Sequence, residues 1–254
     1  VYDDSEMLSR AAAQLFADRA RLAVQQKGRC IALLSGGATP RRMYQLLAQA
    51  PLAGQVPWGG LQLFWGDERY VPQDDPESNF GMARAALLGR VPLAPEQLHP
   101  VPWACSPWES ALCYEQELRA FFAPGPPHFD LALLGLGANG HTAGLFPHTP
   151  PLEERERWAC ELYLPEEDRF RVTLTAPVLN HADLAVFLVA GEGKAAALAQ
   201  VLEGEYRPEE LPAQLIDPLH GELLWLVDRA AAGNLKQHGS VCRRREERGE
   251  LYDV

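Results

Sequence analysis

The chain of 254 residues carries 23 basic and 34 acidic side chains, a net charge of −11, with 47% hydrophobic and 22% charged residues. That composition is globular, with enough apolar material for a sizeable core. The acidity argues against nucleic acid or an anionic membrane surface as a partner, and an anionic ligand would need locally concentrated positive charge or aimed backbone N–H groups.

In chain order, residues 5–26 read as an amphipathic helix with Leu8, Ala12, Leu15 and Leu22 on one stripe. Short apolar runs then alternate with helical patterns. The runs cover residues 30–34, 61–65, 129–134, 170–174, 184–189 and 223–227, and the helical patterns residues 40–49, 79–88, 108–122, 177–181 and 194–202. Several runs lack period-2 alternation, as strands buried on both faces do, and the β–α alternation predicts a mainly parallel sheet covered by helices. No repeat and no clear domain linker interrupts the chain, so residues 1–254 are expected to form one domain, with a polar Arg/Glu-rich tail at 242–254. The acidic start Val1-Tyr2-Asp3-Asp4-Ser5-Glu6 is unlike a secretory leader, and no apolar run has membrane-spanning length. Five scattered cysteines (Cys30, Cys105, Cys113, Cys160 and Cys242) form no C-x-x-C pair. The expectation is a reducing compartment, the cytoplasm.

In open α/β sheets ligands sit beyond the carboxyl ends of the strands. Four such ends carry polar or glycine-rich chemistry. Ser35-Gly36-Gly37-Ala38-Thr39-Pro40 runs from a strand into a helix start, where backbone N–H groups, the helix dipole and two hydroxyls would cradle an anion, although a plain capped turn has the same composition. It is not a Walker A loop. Asp67-Glu68-Arg69 follows a buried strand and offers an arginine for a phosphate, a carboxylate or an oxyanion; taken alone, the triplet also fits a solvated salt-bridged loop. Residues 134–147 contain G-x-G-x-x-G, but Pro147, Pro150 and Pro151 cut short the helix that a dinucleotide fold needs. Within this loop glycines hold His141 at the sheet's mouth, and an imidazole with an ordinary pKa near 6.5 suits a general base. Gly191-Glu192-Gly193-Lys194 places a lysine at a helix start, as a phosphate ligand or a surface residue. No Cys/His/carboxylate set has metal spacing, H-E-x-x-H is absent, and Ser35 lacks a G-x-S-x-G elbow. The residues alone describe a metal-free, cofactor-free phosphosugar enzyme using acid–base chemistry, and leave the reaction open.

Residues 35–40 resemble the S-G-G-[ST]-T-P loop of the 6-phosphogluconolactonases, within the glucosamine-6-phosphate deaminase/6-phosphogluconolactonase family. Asp67-Glu68-Arg69 with Val71-Pro72 and Ser78-Asn79 resembles their D-E-R-x-V-P…S-N segment, and residues 135–147 their L-G-x-G-x-D-G-H-T-A-S-L-F-P. Residues 171–175 and 224–228 follow in the same order. The resemblance spans residues 5–233. It implies a three-layer α/β/α, Rossmann-like fold shared with glucosamine-6-phosphate deaminases and ribose-5-phosphate isomerases. It also implies hydrolysis of 6-phospho-D-glucono-1,5-lactone by a monomer or small homo-oligomer. On this reading His141 deprotonates the attacking water and returns the proton to the ring oxygen. Arg69, oriented by Asp67, meets the carbonyl, and Ser35, Gly36, Gly37, Thr39, Arg171 and Lys194 hold the phosphate. Asn79, Asn139 and Gly140 complete the binding set. Two departures stand out: Asn139 replaces the family's usual Asp, and Gly144 its usual Ser. The rivals are a deaminase/isomerase, whose carboxylate base Asn139 removes, and a non-catalytic phosphosugar sensor.

Overall fold

The computed structural model describes residues 1–236; the tail expected at 242–254 lies outside them. Among the described residues there are nine strands: β1 Cys30–Leu34, β2 Leu61–Trp65, β3 Asp67–Arg69, β4 Leu98–His99, β5 Leu131–Gly135, β6 Ala159–Leu164, β7 Arg169–Leu174, β8 Leu184–Val189 and β9 Glu222–Val227. The α-helices are α1 Ser5–Lys27, α2 Ala38–Leu47, α3 Asn79–Ala86, α4 Pro107–Phe122, α5 Ala176–Leu179 and α6 Ala195–Glu203. Six strands form one all-parallel sheet in the order β4-β2-β1-β5-β8-β9. The chain thus starts at a central strand, winds to one edge, and returns to wind to the other. The reversal falls between β1 and β5, where a crevice opens beyond their carboxyl ends.

The runs at 30–34, 61–65 and 184–189 are strands at those bounds, and every residue of β1 and β8 is buried. Each fully buried Leu or Ile in such a strand contributes roughly 1.5–3 kcal/mol before entropy is counted. The run at 170–174 behaves differently. It belongs to β7, the middle strand of a second, antiparallel sheet, β3-β7-β6. Gly66 is the pivot between the sheets: its N–H donates to Leu34 O at the end of β1 (3.1 Å), and its carbonyl accepts from Leu174 N of β7 (2.9 Å). One extended segment therefore serves the parallel sheet up to Trp65 and the small sheet from Asp67.

Helix α1 starts at the N-cap Asp4, whose side chain accepts from Met7 N, and ends at Gly28 in the left-handed region (φ 76°). Its buried face is Leu8, Ala12, Ala13, Phe16, Ala17, Ala20 and Ala23, and it packs on α2 and β1. The expected stripe held at Leu8 and Ala12 but not at Leu22, which is 44% exposed. Alanines let the helix approach its neighbours closely, so small residues define the face that leucines were expected to mark. Helix α4 packs on β6 and β7. Among the described residues no helix is long and apolar enough to cross a membrane.

Candidate active site

A cavity of about 430 Å³ lies over the ends of β1, β5 and β8, with β3 and β7 as its far wall. Its lining includes Ser35, Gly36, Gly37, Thr39, Asp67, Arg69, Asn79, His141 and Lys194, drawn from all four strand ends singled out above, and Arg171 from within β7. Asn139 and Gly140 stand behind His141 instead of lining the space.

The first wall is main chain. Helix α2 begins at Ala38 after Gly37, with no side-chain cap, which leaves first-turn N–H groups beside the cavity. Tyr44 of the same helix reaches back, its hydroxyl donating to Ser35 O (2.9 Å) and accepting from Ser35 N (3.1 Å). The loop is thereby fixed from behind. Lys194, in a single 3-10 turn (Glu192–Lys194) before α6, adds a point charge whose pKa burial pulls down.

His141 is half-buried in the loop after β5, its ring stacked on Phe146 (centroids 3.9 Å apart, planes 21° apart). Asn139 Oδ1 lies 2.6 Å from Nδ1 and 3.2 Å from the His141 backbone N–H. A group that accepts from a backbone N–H is oxygen, so Nδ1 carries the proton and Nε2 keeps its lone pair. Burial, then the charges of Arg171, Lys194 and Arg69, push the imidazole pKa down to about 3. The ring is neutral at pH 7, as a base must be. Gly137 is required beside it, because a Cβ there would overlap the imidazole.

The third wall is the small sheet. Arg69 and Arg171 are direct cross-strand partners, and Asp67 faces Thr173. Asp67 was expected to orient Arg69; its ion pair is instead with Arg171, Nη1 to Oδ2 at 3.2 Å, both side chains buried. Arg69 donates from Nη1 to Glu77 O (2.6 Å), and its buried Nε has no acceptor among the described residues. Asn79 is a brace: Nδ2 donates to Asp67 O at 3.0 Å.

Glu68 shows why this wall is stiff. Its buried carboxylate accepts from Arg69 N (2.8 Å), Asn79 N (2.6 Å), Phe80 N (2.8 Å) and Ser78 Oγ (3.0 Å), tying β3 to the first turn of α3. Burial raises its pKa against those backbone donors. A carboxylate about ten residues ahead of the Ser78-capped start of α3 was the available signal for it. The Gly144 departure also has a local cause: a Cβ at that position would come within 2.5 Å of Thr173 Cβ. Gly144 N donates to Thr173 Oγ1 (2.9 Å), which links the His141 loop to the strand carrying Arg171.

Among the described residues, the one cluster of metal-ligating type is His128, Asp130 and Asp183, before β5 and β8 at the opposite end of the sheet. The Lys27 ammonium sits in it, 2.7 Å from Asp130, 3.0 Å from Asp183 and 3.3 Å from His128.

A family model described as glucosamine-6-phosphate isomerases/6-phosphogluconolactonase matches residues 3–225. The chain is 44% identical over 218 residues to a 6-phosphogluconolactonase of Synechocystis sp., covering 84% of this chain and 88% of the relative. It is 42% identical over 239 residues to one of Nostoc sp., covering 92% and 97%. The solved 6-phosphogluconolactonase from Trypanosoma cruzi superposes with a TM-score of 0.83 at 28% identity, covering 93% of this chain and 96% of that one. The crevice at the sheet's reversal, the motifs that line it and these likenesses converge: the chain belongs to the glucosamine-6-phosphate isomerase/6-phosphogluconolactonase family.

Proposed function

We propose that this chain hydrolyses 6-phospho-D-glucono-1,5-lactone to 6-phospho-D-gluconate, the lactone-opening step of the oxidative pentose phosphate pathway. The observation that carries the reading is His141: a neutral imidazole with a protonated Nδ1 on Asn139 and a free Nε2, at a cavity whose other wall is an anion cradle. The phosphate docks on the first turn of α2, on Lys194 and on Arg171, which presents C1 to the imidazole. Nε2 takes a proton from water as the water oxygen bonds to C1, and the carbonyl oxygen becomes an oxyanion. The Arg69 guanidinium, on the cavity wall, is the group that stabilises it. The C1–ring oxygen bond then breaks, the ring oxygen takes the proton from Nε2, and the new carboxylic acid ionises. Atoms balance as lactone plus water to carboxylate plus a proton.

The deaminase alternative wants a carboxylate behind its histidine, and Asn139 is an amide. The reaction is placed in the cytoplasm, a reading supported by the free thiols of Cys30, Cys105, Cys113 and Cys160. The chain is read as one domain on the strength of a main hydrophobic cluster that runs from Leu8 to Ala232. A coupled assay offering the phosphorylated lactone and glucosamine 6-phosphate side by side tests the reading. Lactone turnover above the spontaneous rate is expected; deamination, or no turnover of either, would overturn it.

A further inference from the structure

Behind the catalytic cavity lies a second hollow of about 420 Å³, lined by Arg69, Pro76, Glu77, Glu167, Arg169 and Arg171. The two hollows share Arg69 and Arg171, so these guanidiniums form the wall between them. Glu167 sits in the turn joining β6 to β7. Arg171 donates to it from Nη2 at 3.0 Å (Oε1) and 2.8 Å (Oε2), and from Nε at 3.3 Å. This is the two-pronged edge with which a guanidinium grips phosphate. Glu167 lines the outer hollow only, so that edge is turned away from the catalytic cavity. The Arg171 side chain is 8% exposed and that of Glu167 39%, and among the described residues the Glu167 carboxylate has no other partner. A pair open to water on one side is weak, about 0–1 kcal/mol, whereas a phosphate dianion brings two charges.

We propose that Glu167 sets the affinity of the site for the substrate's phosphate by competing, as a tethered carboxylate, for the Arg171 fork. In the empty site the carboxylate satisfies the fork. A bound dianion draws the guanidinium inward, and Glu167 turns to solvent. The identity of the anion rests on the lactonase reading; the competition itself rests on geometry.

The test is calorimetric titration of the intact protein with inorganic phosphate at fixed ionic strength. Glu167→Gln should tighten phosphate binding roughly two- to fivefold, the scale of releasing one half-exposed ion pair. Glu166→Gln removes the same charge from the adjacent exposed residue and should change binding less than twofold. In an Arg171→Lys background Glu167→Gln should lose its effect. In turnover, KM for the phosphorylated lactone should fall in Glu167→Gln while KM for the unphosphorylated lactone stays put. Unchanged or weaker binding in Glu167→Gln would make Glu167 a brace, and equal tightening in Glu166→Gln would reduce the effect to net charge. Either result overturns the proposal, as does phosphate failing to bind wild type and variant alike. Because the titration needs no turnover, its outcome is separate from that of the lactone assay.

Discussion

The two sheets build one cavity by different means. The parallel sheet contributes directional groups: free N–H groups at the start of α2, and an imidazole whose tautomer is fixed by Asn139. The small antiparallel sheet contributes a field. Its register sets Arg69 opposite Arg171, and like charges directly opposite destabilise a strand pair. Asp67, on the cavity wall, and Glu167, outside it, both pair with Arg171 and offset that repulsion. Strand ends aim donors and a base, while burial, together with the charges of the ribbon and Lys194, holds the base neutral and the ribbon attracts the anion. The division predicts that damage to the first region costs rate, and damage to the second costs stability and binding.

Gly137→Ala should break the first region most sharply. The new methyl displaces the His141 ring, and a misplacement near 1 Å costs about 10²-fold in rate. kcat should fall by about that factor with the unfolding midpoint in denaturant nearly unchanged; full activity would show that the ring position is not critical. Asp67→Ala probes the second region. It leaves a buried guanidinium paired only with Glu167, and should cost about 3 kcal/mol, the low end for a broken buried pair. Denaturant unfolding reads the loss, and a cost under 1 kcal/mol would mean the charged ribbon is not held by Asp67.

The same division explains what the sequence disclosed. Strands β1, β2 and β8 are uninterrupted apolar runs because both faces are covered, and their bounds could be read directly. The glycines and hydroxyls after them marked the cradle and His141. Strand β3 could not be read. Asp67-Glu68-Arg69 is three charged residues, and only pairing with β7 across about a hundred residues makes it a strand. For that reason proximity along the chain pairs Asp67 with Arg69, whereas the register pairs it with Arg171. Glu77 escaped for the same cause, since its partner Arg169 lies on β7; Glu68 and Glu167 have partners nearby in sequence, at the start of α3 and four residues on at Arg171.

A gentler change sharpens the comparison. Asn139→Asp places a carboxylate on Nδ1–H and should raise the His141 pKa from about 3 by roughly one to three units. A raised pKa means the base is protonated earlier on acidification, so the acidic limb of the kcat profile moves to higher pH, with equal or greater activity at neutrality. A profile that stayed put would uncouple residue 139 from the base. A collapse of activity would mean that the amide itself is needed.

The division between base and field is tested most directly by His141→Ala, with kcat for the phosphorylated lactone and phosphate affinity measured on the same preparation. After subtraction of spontaneous opening, kcat should fall by roughly 10²–10⁴-fold, as for a lost general base, while inorganic phosphate still binds. A tenfold loss or less would contradict the assignment of His141 as the base. A loss of phosphate binding in parallel with kcat would show that the two regions do not work separately.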